Sequence, residues 1–198
     1  MKKILLIIFM LVFISCSKDD EDGIKDYEYF LNFDTFQFRG NLNAKDIIYQ
    51  YGIDAFQIAS SSWIPNGNPK DPNRILLFAL NSNEGNNQFF IETPNFDSTT
   101  PTELDQIFAP GIKKLGPGTD SFKVQIINND STFRLCDLDS DYKLEVLKTI
   151  EIFDLDIEGS KRQFKVWFKI EKVLSDNCSS DTNFELKNAL IIGRFIQF

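Results

Sequence analysis

A chain of 198 residues with 42% hydrophobic, 25% charged and 14% aromatic content has ordinary globular composition, which excludes disordered, collagen-like and multi-span membrane classes. Its formal net charge of −8 opposes any nucleic-acid or anionic-membrane role driven by charge. The absence of histidine removes Ser-His-Asp and Cys-His nucleophile systems, HExxH zinc enzymes and the commonest proton carrier near neutral pH.

Met1-Lys2-Lys3 opens the chain, an unbroken apolar run follows from Ile4 to Ile14, and Ser15-Cys16-Ser17 closes it. That order reads as a secretion signal over residues 1–15. The apolar run spans about 16 Å as a helix, against roughly 30 Å of hydrocarbon, so it is too short to cross a bilayer. Ser15-Cys16 resembles a bacterial lipobox, although Phe13 stands where Leu is usual; the resemblance implies diacylation of Cys16 and removal of residues 1–15. Ser17-Lys18-Asp19-Asp20-Glu21-Asp22 then resembles the lipoprotein export signal of the Bacteroidota, which implies display on the outer face of the outer membrane. The plainer reading makes residues 16–26 a solvated acidic tether. Each buried acyl CH₂ contributes about 0.8 kcal/mol, so two or three chains hold such a protein permanently. Losing residues 1–15 removes two lysines and no acid, which takes the net charge from −8 to −10.

Residues 27–198 read as a single all-β domain. Apolar residues mostly alternate, the mark of half-buried strands. Phe122, Val124 and Ile126 oppose Lys123 and Gln125. Tyr142, Leu144, Val146, Ile150 and Ile152 share a parity broken at Lys148, and Phe164, Val166, Phe168 and Ile170 form a further set. Ile75 to Leu80 is continuously apolar, as expected of a central strand covered on both faces. Further strands are predicted near Tyr27–Phe33, Thr35–Arg39, Ile47–Tyr51, Ala55–Ser60, Gln88–Glu92, Thr132–Leu135 and Phe184–Phe198, the last with a break near Gly193. About 9–11 short strands separated by turn residues predict an antiparallel β-sandwich. One short helix is predicted near 101–108: Thr100-Pro101-Thr102-Glu103 offers a capping box, Leu104, Ile107 and Phe108 share a face, and Pro110-Gly111 ends it.

Several constellations could carry function. Cys136 and Cys178, the cysteines besides Cys16, are candidates for a disulfide in an oxidising compartment, closing about 42 residues for roughly 4 kcal/mol; two separate thiols are the alternative. Asp137, Asp139 and Asp141 alternate as in the start of a calcium loop, but Tyr142 and Lys148 stand where an EF-hand needs Gly and Glu, so a solvated turn is the plainer reading. Asp154, Asp156 and Glu158 share the wet parity of a strand. Trp167 lies on the parity of Lys165 and Lys169, opposite Val166 and Phe168, and an aromatic ring among charged groups suits the apolar ring faces and hydroxyls of sugars. Trp63 precedes the polar loop Ile64–Asn73, a second place for recognition. Either tryptophan could instead cover lysine stems or anchor its loop. Paired carboxylates could cleave glycosides without histidine, yet no pair is nominated by the sequence, and no P-loop, dinucleotide fingerprint or CxxC motif occurs.

Phe38-Arg39-Gly40-Asn41-Leu42-Asn43 and the ending Phe184-Glu185-Leu186-Lys187-Asn188-Ala189-Leu190-Ile191-Ile192-Gly193-Arg194-Phe195 make the chain similar to uncharacterised small β-rich surface lipoproteins of the Bacteroidota. Their endings often read Leu-x-Asn-Gly-x-Phe-x-Gly-x-Phe, and Ala189 stands here at a Gly position. The resemblance implies fold class and location and carries no functional residues. The expected protein is a non-catalytic, surface-exposed outer-membrane lipoprotein, held to the membrane by its lipid, that binds a glycan or a neighbouring envelope protein and needs no cofactor. The alternatives are a structural subunit docking through a sheet edge formed by the C-terminal run Phe195-Ile196-Gln197-Phe198, or a small carboxylate-dependent glycoside hydrolase.

Overall fold

Alternation of apolar and polar residues is realised as two antiparallel sheets packed face to face. The structure, a computed structural model, describes residues 30–129, 131–135, 142–152, 159–176 and 183–198. One sheet has the order β2 (Lys45–Gln50), β1 (Gln37–Leu42), β12 (Asn183–Gln197), β11 (Arg162–Asp176), β10 (Lys143–Glu151), β7 (Gly111–Lys114). The other has the order β3 (Gln57–Trp63), β4 (Asn73–Asn81), β5 (Asn87–Glu92), β8 (Lys123–Asn128), β9 (Ser131–Arg134), with β6 (Phe96–Asp97) beside β4. The strand count exceeds the 9–11 expected because β6 and β7, of two and four residues, are too short to show a period. The chain divides into two compact units, Met1–Phe33 and Asp34–Phe198, and both sheets belong to the second. In the first, Phe30–Asn32 are helical, with Phe33 N–H donating to the Phe30 carbonyl at 3.1 Å, which corrects the strand expected over Tyr27–Phe33.

Phenylalanine fills the space between the sheets. Phe38 on β1 stacks on Phe89 of β5 with centroids 4.2 Å apart and planes 8° from parallel. Phe78 on β4 meets Phe195 on β12 at 6.2 Å, and Phe122 meets Phe168 at 5.5 Å. The continuous run in β4 behaves as expected: Ile75, Leu76, Phe78, Ala79 and Leu80 are buried, and β4 has strands on both sides.

Two bulges correct the parity read from sequence. In β10 the register shifts between Val146 and Lys148, so Val146 pairs with Phe168 while Ile150 pairs with Lys165 and turns outward, 43% exposed. The broken period at Lys148 is therefore the bulge itself. In β12 the expected break at Gly193 is absent: Gly193 pairs with Val166, and the irregularity lies in the ladder with β1, where the register shifts between Arg39↔Leu190 and Asn41↔Lys187 and Asn188 takes a φ of +51°, which suits asparagine better than most side chains. β12 lies between β1 and β11, but the β1 ladder ends at Ile192, so Phe195–Gln197 pair on one side, with β11, while Phe195 and Ile196 are buried.

The β1–β2 hairpin turns through Asn43 and Ala44, both at positive φ (51° and 63°), between the paired Leu42 and Lys45. Both central residues of a two-residue type I′ turn adopt this conformation, which alanine resists and glycine accepts freely. Asn43 is further held by β12: its N–H donates to the Glu185 carbonyl and its Oδ1 accepts from Glu185 N–H, both at 2.8 Å. Ala44→Gly is expected to raise stability by about 0.5–1 kcal/mol, because relief of left-handed strain outweighs the added unfolded-state entropy. Denaturant unfolding at unchanged m-value measures it.

On β2, Tyr49 stacks on Phe56 (4.8 Å) and its hydroxyl donates to the Ile127 carbonyl at 3.0 Å. Burial pushes its phenol from the ordinary 10.0 to about 12. The folded state favours the neutral form, so the stabilisation is complete below pH 10 and is lost as pH rises through 12, a fall of about 2–3 kcal/mol. Tyr49→Phe is expected to cost about 1 kcal/mol at neutral pH and to flatten that alkaline decline, as read from unfolding midpoints across this pH range.

The predicted helix is present as α1 (Pro101–Phe108), with Leu104 and Phe108 buried and Ile107 packed on the core. Its cap differs from the expected box. Thr100 makes no side-chain cap bond, and Glu103 accepts from Asp97 N–H at 2.7 Å. The Asp97 N–H, three residues ahead of Thr100, is the donor the carboxylate satisfies. Phe108 meets Phe164 and Phe195 at 5.0 and 4.9 Å, placing α1 over one end of the sandwich. Arg162 clamps it there, donating to Asp105 at 2.6 Å and to Glu151 at 2.9 Å; the second of these bonds holds the Glu151 carboxyl below its ordinary range.

Candidate functional groove

The outer face of the five-stranded sheet carries the candidate site. Core parity puts Leu76, Phe78 and Leu80 inward on β4 and Phe89 and Ile91 inward on β5, which turns Leu77, Phe90 and Glu92 outward. Register then sets the outer rows. Ala59, Ala79, Phe90, Gln125 and Arg134 lie side by side across β3, β4, β5, β8 and β9, and Ser61, Leu77, Glu92 and Lys123 form the next row. The two alanines leave Phe90 standing above its row. An open groove of about 560 Å³ runs over this face, lined by Leu77, Phe90, Glu92, Lys123, Gln125 and Arg134. That volume lies within the range of small-molecule sites.

The connection from β7 to β8 makes the groove's wall. Leu115 bridges to Phe122, Gly116 N–H donates to the Phe122 carbonyl at 2.9 Å, and Asn95 N–H donates to the Thr119 carbonyl at 2.9 Å. Gly116 and Pro117 thereby stand against the groove. Along the groove, Arg134 Nε donates to Gln125 Oε1 at 2.5 Å, while Lys123 reaches Glu92 only at 3.9 Å. An apolar floor flanked by hydrogen-bonding side chains can stack a ring and fix its substituents.

Trp63 belongs to the same face. It pairs with Ile75, itself on the Leu77 parity, and is 39% exposed at the end of β3. The following loop is braced by its own side chains: Asn66 Oδ1 accepts from Asn68 N–H at 2.9 Å, Asn68 Oδ1 from Lys70 N–H at 3.1 Å, and Asp71 Oδ1 from Asn73 N–H at 2.8 Å. That backbone N–H of Asn73 holds the Asp71 carboxyl below its ordinary range. No family model, curated protein or solved structure matches this chain.

Trp167 stands apart from Trp63, on the outer face of the six-stranded sheet. It lies off the core parity as expected, but it is buried, 2% exposed. Lys148 and Lys165 set their ammonium groups 4.8 and 5.2 Å from its ring. The β10 bulge brings Lys148 opposite it. A ring so covered is not the open platform predicted, and cation–π contact with two lysines accounts for its place on a polar face. Lys165 is itself buried and paired with Asp34, whose carboxyl it holds below the ordinary range; Lys169 pairs with Glu171 at 3.0 Å. The sequence-predicted set Trp63, Trp167, Lys165 and Lys169 therefore splits, and only Trp63 shares a face with the groove.

Cys16, Cys136, Cys178, Asp137, Asp139 and Asp141, with Asp154, Asp156 and Glu158, lie outside the described residues. Among the described residues no group of three or more Cys, Asp or Glu side chains is placed to hold a metal, and no helix is long and apolar enough to cross a membrane.

Proposed function

We propose that this protein is a surface-displayed, lipid-anchored binding module of the outer membrane that takes a glycan in the groove of its five-stranded sheet. The observation that carries the binding part is the groove itself: Phe90 and Leu77 form an apolar floor between Lys123, Gln125, Arg134 and Glu92, with Trp63 further along the same face. Sugars offer apolar ring faces and a rim of hydroxyls, which such a floor and rim match. Among the described residues one carboxylate, Glu92, lines the groove, whereas paired-carboxylate glycoside cleavage uses two. The anchoring part rests on the leader: Lys2-Lys3, the run Ile4–Ile14, Cys16 and Lys18-Asp19-Asp20.

A glycan array probed with the protein, followed by calorimetry on the hits, tests the binding reading. Phe90→Ala is expected to weaken binding at least tenfold, with Trp63→Ala weakening longer chains more than short ones, while unfolding midpoints stay near those of the parent. Binding insensitive to both changes would place the ligand elsewhere. Protease shaving of intact cells, with mass spectrometry of the N-terminal peptide, tests the anchor: a diacylated Cys16 on a shaveable protein is expected, and an unmodified precursor in the cytosol rules it out.

A further inference from the structure

We infer that the protein pairs with a second copy of itself through β3, edge to edge and antiparallel, so that two five-stranded sheets become one of ten strands. This stands on strand geometry and is independent of the glycan reading. Among the described residues β3 has a ladder on one side only, with β4, and no residue from Gln57 to Trp63 is buried. An edge strand presents a row of backbone N–H and C=O groups that another strand can take up; the side chains decide whether it is admitted. Lysine, proline or brevity commonly keeps such edges apart. β2 opens with Lys45-Asp46, and β7 and β9 have four residues each, ending in Lys113-Lys114 and in Arg134. The C-terminal Phe195–Gln197, also paired on one side, is buried. β3 has seven residues, none of them charged and none proline.

The choice of a second copy as partner follows from charge and from the strand's own order. Two copies of a chain of net −8 repel one another, and a strand without charge sets no like pair against its twin. β3 lies inside the longest uncharged stretch of the chain, the fifteen residues from Ala55 to Pro69. Full antiparallel overlap of seven residues puts the middle one, Ser60, opposite itself on a two-fold axis, the symmetry of most dimers. Ala59 then faces Ser61, Ile58 faces Ser62 and Gln57 faces Trp63. Small residues at the centre let the backbones close to the ladder spacing of about 4.8 Å. At each end the Gln57 amide covers the copy's Trp63, a ring left 39% exposed in the single chain. The axis runs normal to the sheet, so both copies turn the same face outward and the ten strands carry two grooves on one side.

The test uses the full chain in density-matched detergent, where sedimentation equilibrium reads the mass of the protein alone. A reversible monomer–dimer equilibrium is expected, with backbone amides of residues 57–63 exchanging more slowly as the dimer fills. Ala59 and Ser61 both point outward, paired with Ala79 and Leu77, and they face each other across the axis with β-carbons about 5 Å apart. Ala59→Lys combined with Ser61→Lys sets like charges opposite one another twice in each dimer and is expected to raise the dissociation constant at least about tenfold. Ala59→Lys combined with Ser61→Glu sets opposite charges at the same places and is expected to keep the dimer. Unfolding midpoints of both variants, taken where the parent is monomeric, should stay near the parent's. A monomer at every concentration, a dimer indifferent to the paired lysines, or a Lys–Glu variant as dissociated as the Lys–Lys one overturns the inference. Each of these results leaves the groove reading in place.

Discussion

Phe38→Ala is expected to lower the unfolding free energy by about 4 kcal/mol, the largest loss from any single truncation considered for this protein. The ring is fully buried and lies flat on Phe89 of the facing sheet, centroids 4.2 Å apart, with its register partner Tyr49 on β2 tilted against it at 5.8 Å. Removing it forfeits the transfer of a phenyl ring from water and leaves a cavity between two sheets whose backbones are fixed by their own ladders, so collapse recovers little. Phe89→Ala removes the same contact from the other side and is expected to cost a similar amount. The double variant should fall short of the sum by about 1 kcal/mol, the coupling of a stacked aromatic pair. Denaturant unfolding of the four proteins measures all of this, with a fall in Tm of about 10 °C for each single variant. A loss below about 1 kcal/mol for Phe38→Ala would mean that the sheets do not meet through these rings.

The same ring pair shows what alternation in the sequence can and cannot convey. Phe38 sits in a stretch whose apolar residues recur at every second position, so its inward direction was legible, whereas Phe89 stands in the run Phe89-Phe90-Ile91, where alternation is silent; that the two rings stack on one another depends on sheet order, which periodicity does not encode. Lys148 marks the limit more sharply. It breaks the period Tyr142–Ile152, and the break was visible, but only the pairing register reveals that a bulge there turns Ile150 outward and brings Lys148 beside Trp167. Short elements vanish for a related reason: Phe96–Asp97 is too brief to have a period at all.

The groove was legible only in part. Trp63 drew notice as a large ring at the start of a polar loop, and it does share the groove's face. Phe90 carried a fainter sign, since the doublet Phe89-Phe90 inside a strand must send one ring outward. Lys123, Gln125 and Arg134 read as an ordinary wet face, because their convergence across β8 and β9 is a property of register. Trp167 misled for the opposite reason: parity placed it away from the core, and parity is silent about two lysines that cover it.

Gly193→Ala tests the close approach of the two sheets, and the sign of its effect decides the matter. In a strand, replacing glycine by alanine ordinarily gains stability, because the unfolded chain loses entropy and a side chain fills space. Gly193 lies within β12, between the inward residues Ile191 and Phe195 in parity and paired with Val166. A Cβ there would stand 3.0 Å from Phe78 Cδ1 and 3.1 Å from Phe195 Cε2. Both rings are buried, and neighbours hold them: Phe78 meets Phe36 as well as Phe195, and Ser60 Oγ donates to the Arg194 carbonyl at 2.8 Å, fixing β3 against β12 beside the contact. The added methyl must displace a ring or part the sheets, an overpacking cost of about 1–3 kcal/mol that exceeds the ordinary gain. Gly193→Ala is therefore expected to destabilise by about 2 kcal/mol, and Gly193→Val by more. Phe78→Ala removes the struck Phe78 atoms, so the Gly193→Ala, Phe78→Ala pair should be more stable than the two single losses predict, by about 1 kcal/mol or more. Additive losses in that cycle, or a gain from alanine alone, would show that the sheets stand farther apart at Gly193 than 3.0 Å implies.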